Sequence, residues 1–183
     1  MTTSSEGYKL AAKLDYDALS TAIPNDGTSM FHLWRSFQRY CNSKLGVIYL
    51  ALELDRRLRE RGVEGVRVNA CHPGRAPSTE IGDFQQTFMS PAANRWLKWI
   101  ITLGYNVGNT VEDCAKTQTF LSASQRVRRE NVRGQYWVPK INWWLRYAGC
   151  QKEDLSMLGR DEGKARRMWE FCEEAVRKTQ APQ

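Results

Sequence analysis

RYCNSKLGVIYLALELDRRLRERGVEGVRVNACHPG, residues 39–74, decides the fold. Leu45, Ile48, Ala51, Leu52, Leu54 and Leu58 recur at the spacing of one broad helical face, so a long amphipathic helix is expected over 40–61. Asp55, Arg56, Arg57, Arg59 and Glu60 mark its exposed end, and Gly62 suits its C-cap. VRVNA, residues 66–70, then reads as a short strand closed by Pro73-Gly74. Helix, glycine stop and apolar strand form the αβ half of a parallel α/β unit. Tyr40 and Lys44 open the helix four residues apart, which puts both side chains on one face. An ammonium beside a phenol favours the ionised phenol, and a tyrosine tuned in this way can give or take a proton at a carbonyl or alcohol oxygen.

The full chain of 183 residues suggests one domain or a large piece of one, and 42% hydrophobic with 26% charged residues suits a packed core. The net charge of +7 is partly local, in Arg126, Arg128, Arg129 and Arg133 and in Lys164, Arg166 and Arg167. These bases alternate with acids, as in RDEGKARRMWEFCEE, and no stripe of aromatics accompanies them. A solvated surface explains them better than a nucleic-acid interface. The five cysteines are odd in number and not grouped, which argues against a zinc site and a disulfide framework and for a reducing compartment. The opening MTTSSEGYKL has no apolar signal segment, and the most apolar run, WLKWIITL at 96–103, is short for a membrane span. A cytoplasmic location is the expectation.

Around the central stretch the chain punctuates itself clearly in places. Pro24-Asn25-Asp26-Gly27 is a turn cluster inside an irregular stretch, 9–38. Residues 75–110 hold an aromatic segment expected to form a substrate lid, with a helix between Pro91 and Leu103. Thr110 with Asp113 three residues on is a capping-box signal for a helix over 110–124. GQYWVP, 134–139, reads as the last strand. Residues 161–178, with Met168, Trp169, Phe171, Cys172 and Val176, read as a terminal helix.

The Y-x-x-x-K spacing is weak evidence alone, because Tyr136 and Lys140 match it too, on an expected strand with Pro139 inside. Order raises its weight. Ser4-Ser5 ends a short β-compatible lead, Tyr40-Cys41-Asn42-Ser43-Lys44 follows, and Asn69 to Gly74 ends the next strand. With these three in sequence the chain resembles the C-terminal half of a short-chain dehydrogenase/reductase, in the branch of retinol dehydrogenases and fungal reductases. TVEDCAKTQTFLSAS and GQYWVP resemble the later helix and strand of that family. The likeness implies an α/β fold, a partial Rossmann-type doubly wound parallel sheet in three layers that lacks its first strands, with Met1 inside or at the edge of the fifth. No stretch matches the family's glycine-rich T-G-x-x-x-G-x-G turn, whose helix holds the cofactor pyrophosphate.

The resemblance also implies roles. Tyr40 would be the general acid in carbonyl reduction or the base in alcohol oxidation. Lys44 would support it and bind the nicotinamide ribose. Ser5, with Ser4 as the alternative, would orient the substrate oxygen. Pro73 and Gly74 would shape the turn beside the nicotinamide, and Thr79, or Ser78, would touch the cofactor. The expected cofactor is NADP, with NAD as the alternative. The expected substrate is a ketone or secondary alcohol on a small lipophilic molecule such as a secondary metabolite. A homodimer through the 40–61 helix is expected, with no metal and no nucleic acid. His72 reads as a turn residue, and Cys41 and Cys71 as small hydrophobes rather than nucleophiles. The competing reading is a homologue that keeps the catalytic helix but not the cofactor fold, and is therefore not an enzyme.

Overall fold

The computed structural model describes residues 1–11, 14–21, 30–74, 110–142 and 147–180. Their sheet has four strands in the order β1 (Thr2–Thr3), β2 (Ala70–Cys71), β3 (Tyr136–Ile141) and β4 (Tyr147–Glu153). β1 runs parallel to β2 with Thr2 opposite Ala70, and β2 parallel to β3 with Ala70 opposite Tyr136. β4 turns back antiparallel, Tyr136 opposite Glu153, with an irregularity between Pro139 and Ile141. Pro139 has no N–H to give, and it stands beyond Trp137, where the pairing of β2 with β3 ends.

Side-chain alternation along the strands sorts the core into two sides. Ala70, Tyr136 and Val138 face one cluster, formed with Cys41, Leu45, Ile48 and Tyr49 of the long helix α2 (Met30–Glu60). Cys71 and Trp137 face the other, formed with Leu121, Val127 and Val132. That second side is covered by α3 (Val111–Ala123) and α4 (Gln125–Arg129). Helix, mostly parallel sheet, helix: the expected three-layer α/β architecture is present as a partial Rossmann-like fold. A short helix α1 (Tyr16–Ser20) and the terminal α5 (Glu162–Gln180) pack on α2. α5 comes close at Gly46, where a β-carbon would stand 2.7 Å from Met168 Cε, and Arg57 lies over the Trp169 ring at 4.7 Å.

α2 is tied to the sheet at its far end by a buried ion pair. Asp55, wholly buried, meets Arg133 Nε at 2.8 Å and Arg59 Nε at 3.1 Å. Gly134 makes this possible. Its φ of 62° is left-handed, and a β-carbon there would lie 2.8 Å from Asp55 Oδ2. Asn69 clamps the same turn, donating to the Val132 carbonyl at 2.9 Å and accepting from Gln135 N–H at 3.2 Å.

Several expectations need adjusting. The helix expected from residue 40 begins at Met30, so Tyr40 and Lys44 sit well inside it rather than at its head. Met30, Trp34 and Phe37 have the same helical spacing that continues through Cys41 and Leu45, and the turn cluster at 24–27 drew the boundary too late. GQYWVP is not the last strand, because β4 follows it. The strand expected over 66–70 has its paired residues at Ala70–Cys71, with Val68 already accepting from Gly134 N–H at 2.7 Å. Thr110 caps α3 as expected, with the reciprocal Asp113 bond in place. The 161–178 helix stands as α5. The lid region, Thr79, Ser78 and the 91–103 helix lie outside the described residues.

Candidate active site

β1 and β2 run side by side, so their C-terminal ends open on the same edge of the sheet. That is where ligands of open parallel α/β folds bind. Ser4 and Ser5 follow β1, and His72, Pro73 and Gly74 follow β2. α2 crosses behind them and brings Tyr40 and Lys44.

The two serines do different work. Ser4 is buried at 2% exposure and points into the fold, donating its Oγ proton to the Lys44 carbonyl at 2.8 Å. Its own N–H donates to the Cys71 carbonyl at 2.7 Å. It is a fastener between strand and helix. Ser5 is partly exposed and caps the 3-10 turn Glu6–Leu10, its Oγ accepting from Gly7 N–H at 3.2 Å. That bond uses a lone pair and leaves the hydroxyl proton available to a ligand oxygen. The turn is held down by Tyr8, which is fully buried, meets Tyr136 edge-on at 5.4 Å, and accepts from Ser156 N–H at 3.3 Å.

Gly7 is the point where these parts meet, and sequence reading missed it. A β-carbon on Gly7 would lie 3.2 Å from Tyr40 Cε1, 3.5 Å from Ser5 Oγ and 3.7 Å from Cys41 Sγ. The Ser5 hydroxyl and the edge of the Tyr40 ring therefore share one small space, which the absent side chain leaves open. The S-S-E-G spacing, a cap residue followed two positions later by glycine, was the available signal.

Tyr40 is 46% exposed, with its ring reachable from solvent. Lys44 Nζ stands 5.5 Å from the ring centroid, one helical turn along the same face. Ser43, between them, spends its hydroxyl on the Tyr40 carbonyl at 2.8 Å. The other Y-x-x-x-K pair has no such geometry: Tyr136 is buried on β3, and burial pushes its hydroxyl far above the ordinary range.

Gly74, at φ 97°, needs the freedom of glycine and turns the backbone away beside Pro73. His72 is nearly buried in this turn, its Nε2 3.9 Å from Glu6 Oε2. The cysteines behave as packing groups. Burial raises the Cys41 thiol and pushes Cys71 up to about 11, against a smaller lowering by the Thr3 hydroxyl. Among the described residues no helix is long and apolar enough to cross a membrane. The structure thus brings Ser5, Tyr40, Lys44, Pro73 and Gly74 to one edge, turns Ser4 inward, and leaves Thr79 outside the described residues.

No family model matches the chain. Over 130 residues, 71% of this chain, it is 32% identical to retinol dehydrogenase 13 of Mus musculus, and 29% identical over 138 residues to that of Homo sapiens. The chain spans about a third of the length of these curated relatives, 33% and 34%. In structure it is similar to an uncharacterized protein from Mycobacterium paratuberculosis, with a TM-score of 0.55 at 20% identity, over 94% of this chain and 47% of that one. The structural likeness speaks for the fold. The sequence likeness is to two retinol dehydrogenases.

Proposed function

We propose that this chain carries the acid/base half of an NAD(P)-dependent oxidoreductase of the short-chain dehydrogenase/reductase type. The observation that carries the reading is the meeting of Ser5 Oγ and the Tyr40 ring edge at Gly7, with Lys44 one turn along, at the C-terminal ends of two parallel strands. A substrate oxygen lying between the two hydroxyls would accept a hydrogen bond from Ser5. Tyr40 would give it a proton in carbonyl reduction and take one in alcohol oxidation. Ser4 acts as a positioning residue, holding the strand end against the helix.

The residues fit the nicotinamide-ribose end of a dinucleotide. Lys44 offers up to three donors to ribose hydroxyls, and Pro73-Gly74 leaves a turn with no side chain at the glycine. Bound there, the dinucleotide supplies or accepts the hydride. NADP is the preferred form, after the branch resembled, and the substrate class is a ketone or secondary alcohol on a small lipophilic molecule. The sequence has no glycine-rich phosphate turn, so no residue here is assigned to the pyrophosphate. The second reading is a homologue that keeps the catalytic helix without turnover.

Titration of the purified chain with NADPH and NADH, followed by turnover of a panel of lipophilic ketones, separates the two. Cofactor binding, with turnover abolished in Tyr40→Phe while circular dichroism is unchanged, is the expected result. Turnover retained in Tyr40→Phe would refute the acid/base assignment, and absence of cofactor binding would favour the second reading. A homodimer through the 40–61 stretch would have to use the helix face that α5 leaves open. Light scattering at the mass of a monomer would exclude it.

A further inference from the structure

The opposite end of the parallel strands holds a cavity that the function above does not use. It measures about 620 Å³ and lies where the chain enters β1 and β2, bounded by Met1, Arg67 and Asn69 and by the junction of α3 and α4. A volume of this order is that of a small-molecule site. Its charged side chains are Arg67 and Arg128, and among the described residues that line it there is no carboxylate.

Neither guanidinium makes an ion pair with a described residue. Arg67 is half-buried, lines the cavity and makes no ion pair among the described residues. On α4, Arg126 is held by Glu130 at 2.8 Å and Arg129 by Gln125 Oε1 at 3.2 Å. Arg128, between them, lines the cavity and makes no ion pair among the described residues. Arginines that line a cavity with no carboxylate beside them leave guanidinium donors for a ligand oxygen. Ser124, also in the lining, accepts from Arg126 N–H at 3.2 Å and keeps its hydroxyl proton to donate.

We propose that this cavity binds a small phosphorylated molecule, with Arg67 and Arg128 as its charged contacts. Two guanidiniums match the charge of a dianionic phosphate, and each can engage two of its oxygens at once. The space exceeds that of a bare phosphate, which points to an organic phosphate or a diphosphate. The site is at the other end of the strands from Tyr40, so the inference does not rest on the function proposed above.

Pyrophosphate is the probe, titrated calorimetrically into the full chain and into Arg67→Gln, Arg128→Gln and Lys44→Gln. The expected result is saturable binding of one pyrophosphate per chain, weakened about tenfold by loss of either arginine and unchanged in Lys44→Gln. Arg128 is exposed on the surface, so its variant keeps the fold even if Arg67→Gln does not. Absence of saturable binding, binding that both arginine variants leave intact, or binding lost in Lys44→Gln overturns the proposal.

Discussion

Replacing Gly134 with alanine should be among the most damaging single-methyl changes in this chain, and the structure separates its two causes. The first is conformational: at φ 62° an L-residue costs about 1–2 kcal/mol. The second is steric. The new β-carbon would stand 2.8 Å from Asp55 Oδ2, and Asp55 is wholly buried between Arg133 and Arg59. Removing one partner of a buried ion pair costs roughly 3–5 kcal/mol, and pushing the carboxylate aside without removing it should cost about half of that. The sum is about 3–4 kcal/mol for Gly134→Ala. Gly62 supplies the control. It has a similar φ of 69° with nothing within 4 Å of its missing β-carbon, so Gly62→Ala should show the conformational cost alone. Urea unfolding followed by circular dichroism measures both. In a thermal melt, at about 2–4 °C per kcal/mol for a chain of this size, the melting temperature should fall by roughly 10 °C in Gly134→Ala and by a few degrees in Gly62→Ala. Equal losses in the two variants would refute the claim that Asp55 braces α2 against the lead-in to β3.

Ser4→Ala should lower stability by about 1 kcal/mol through the lost bond to the Lys44 carbonyl. Ser5→Ala should act chiefly on turnover, and a larger effect of Ser4→Ala than of Ser5→Ala on kcat would reverse the two assignments. Glu53 gives a pH dependence. Hydrogen bonds from Arg56, opposed by burial and reinforced by Arg57, hold its carboxyl below the usual 4.5. Its contribution is therefore complete above the unfolded value and is lost as pH falls through the lower folded value. Glu53→Gln should narrow the stability difference between pH 7 and pH 3 in urea titrations, and an unchanged difference would count against the Arg56–Glu53–Arg57 cluster. Gly7→Ala should leave stability within about 1 kcal/mol, because the half-exposed Tyr40 ring can yield a few tenths of an ångström. The displaced ring should still slow turnover several-fold, with unchanged turnover arguing against the shared space at Gly7.

Local signals were legible where one short motif settles a backbone conformation. Thr110 with Asp113 fixed the start of α3, and Asn69 to Gly74 marked a strand ending in a turn. The apolar face of α2 was legible too, but not its first turns, because the turn cluster at 24–27 outweighed a helical spacing already present from Met30. β4 was missed for a physical reason. YAGCQKE is an edge strand with one neighbour, rich in polar residues and with a glycine at φ 125°, so its sequence has little alternation to read. At the site, Tyr40, Lys44 and the Pro73-Gly74 turn follow from the order of the motifs and the family resemblance that this order carries. The division between Ser4 and Ser5 does not, because adjacent residues of an extended chain point to opposite sides and only the register decides which one faces α2.

That register rests on very little backbone. β1 contributes two paired residues, and the candidate hydroxyl of Ser5 lies just past them. A ladder so short resists slippage weakly. Alignment is instead enforced by two side chains, Ser4 fastened to the helix and Tyr8 sunk into the core three residues after the cap it helps hold. The accuracy of the reacting groups is then a matter of mooring rather than of sheet length. A change at Tyr136, whose ring meets that of Tyr8, would detune the site from a distance while leaving every residue in it untouched.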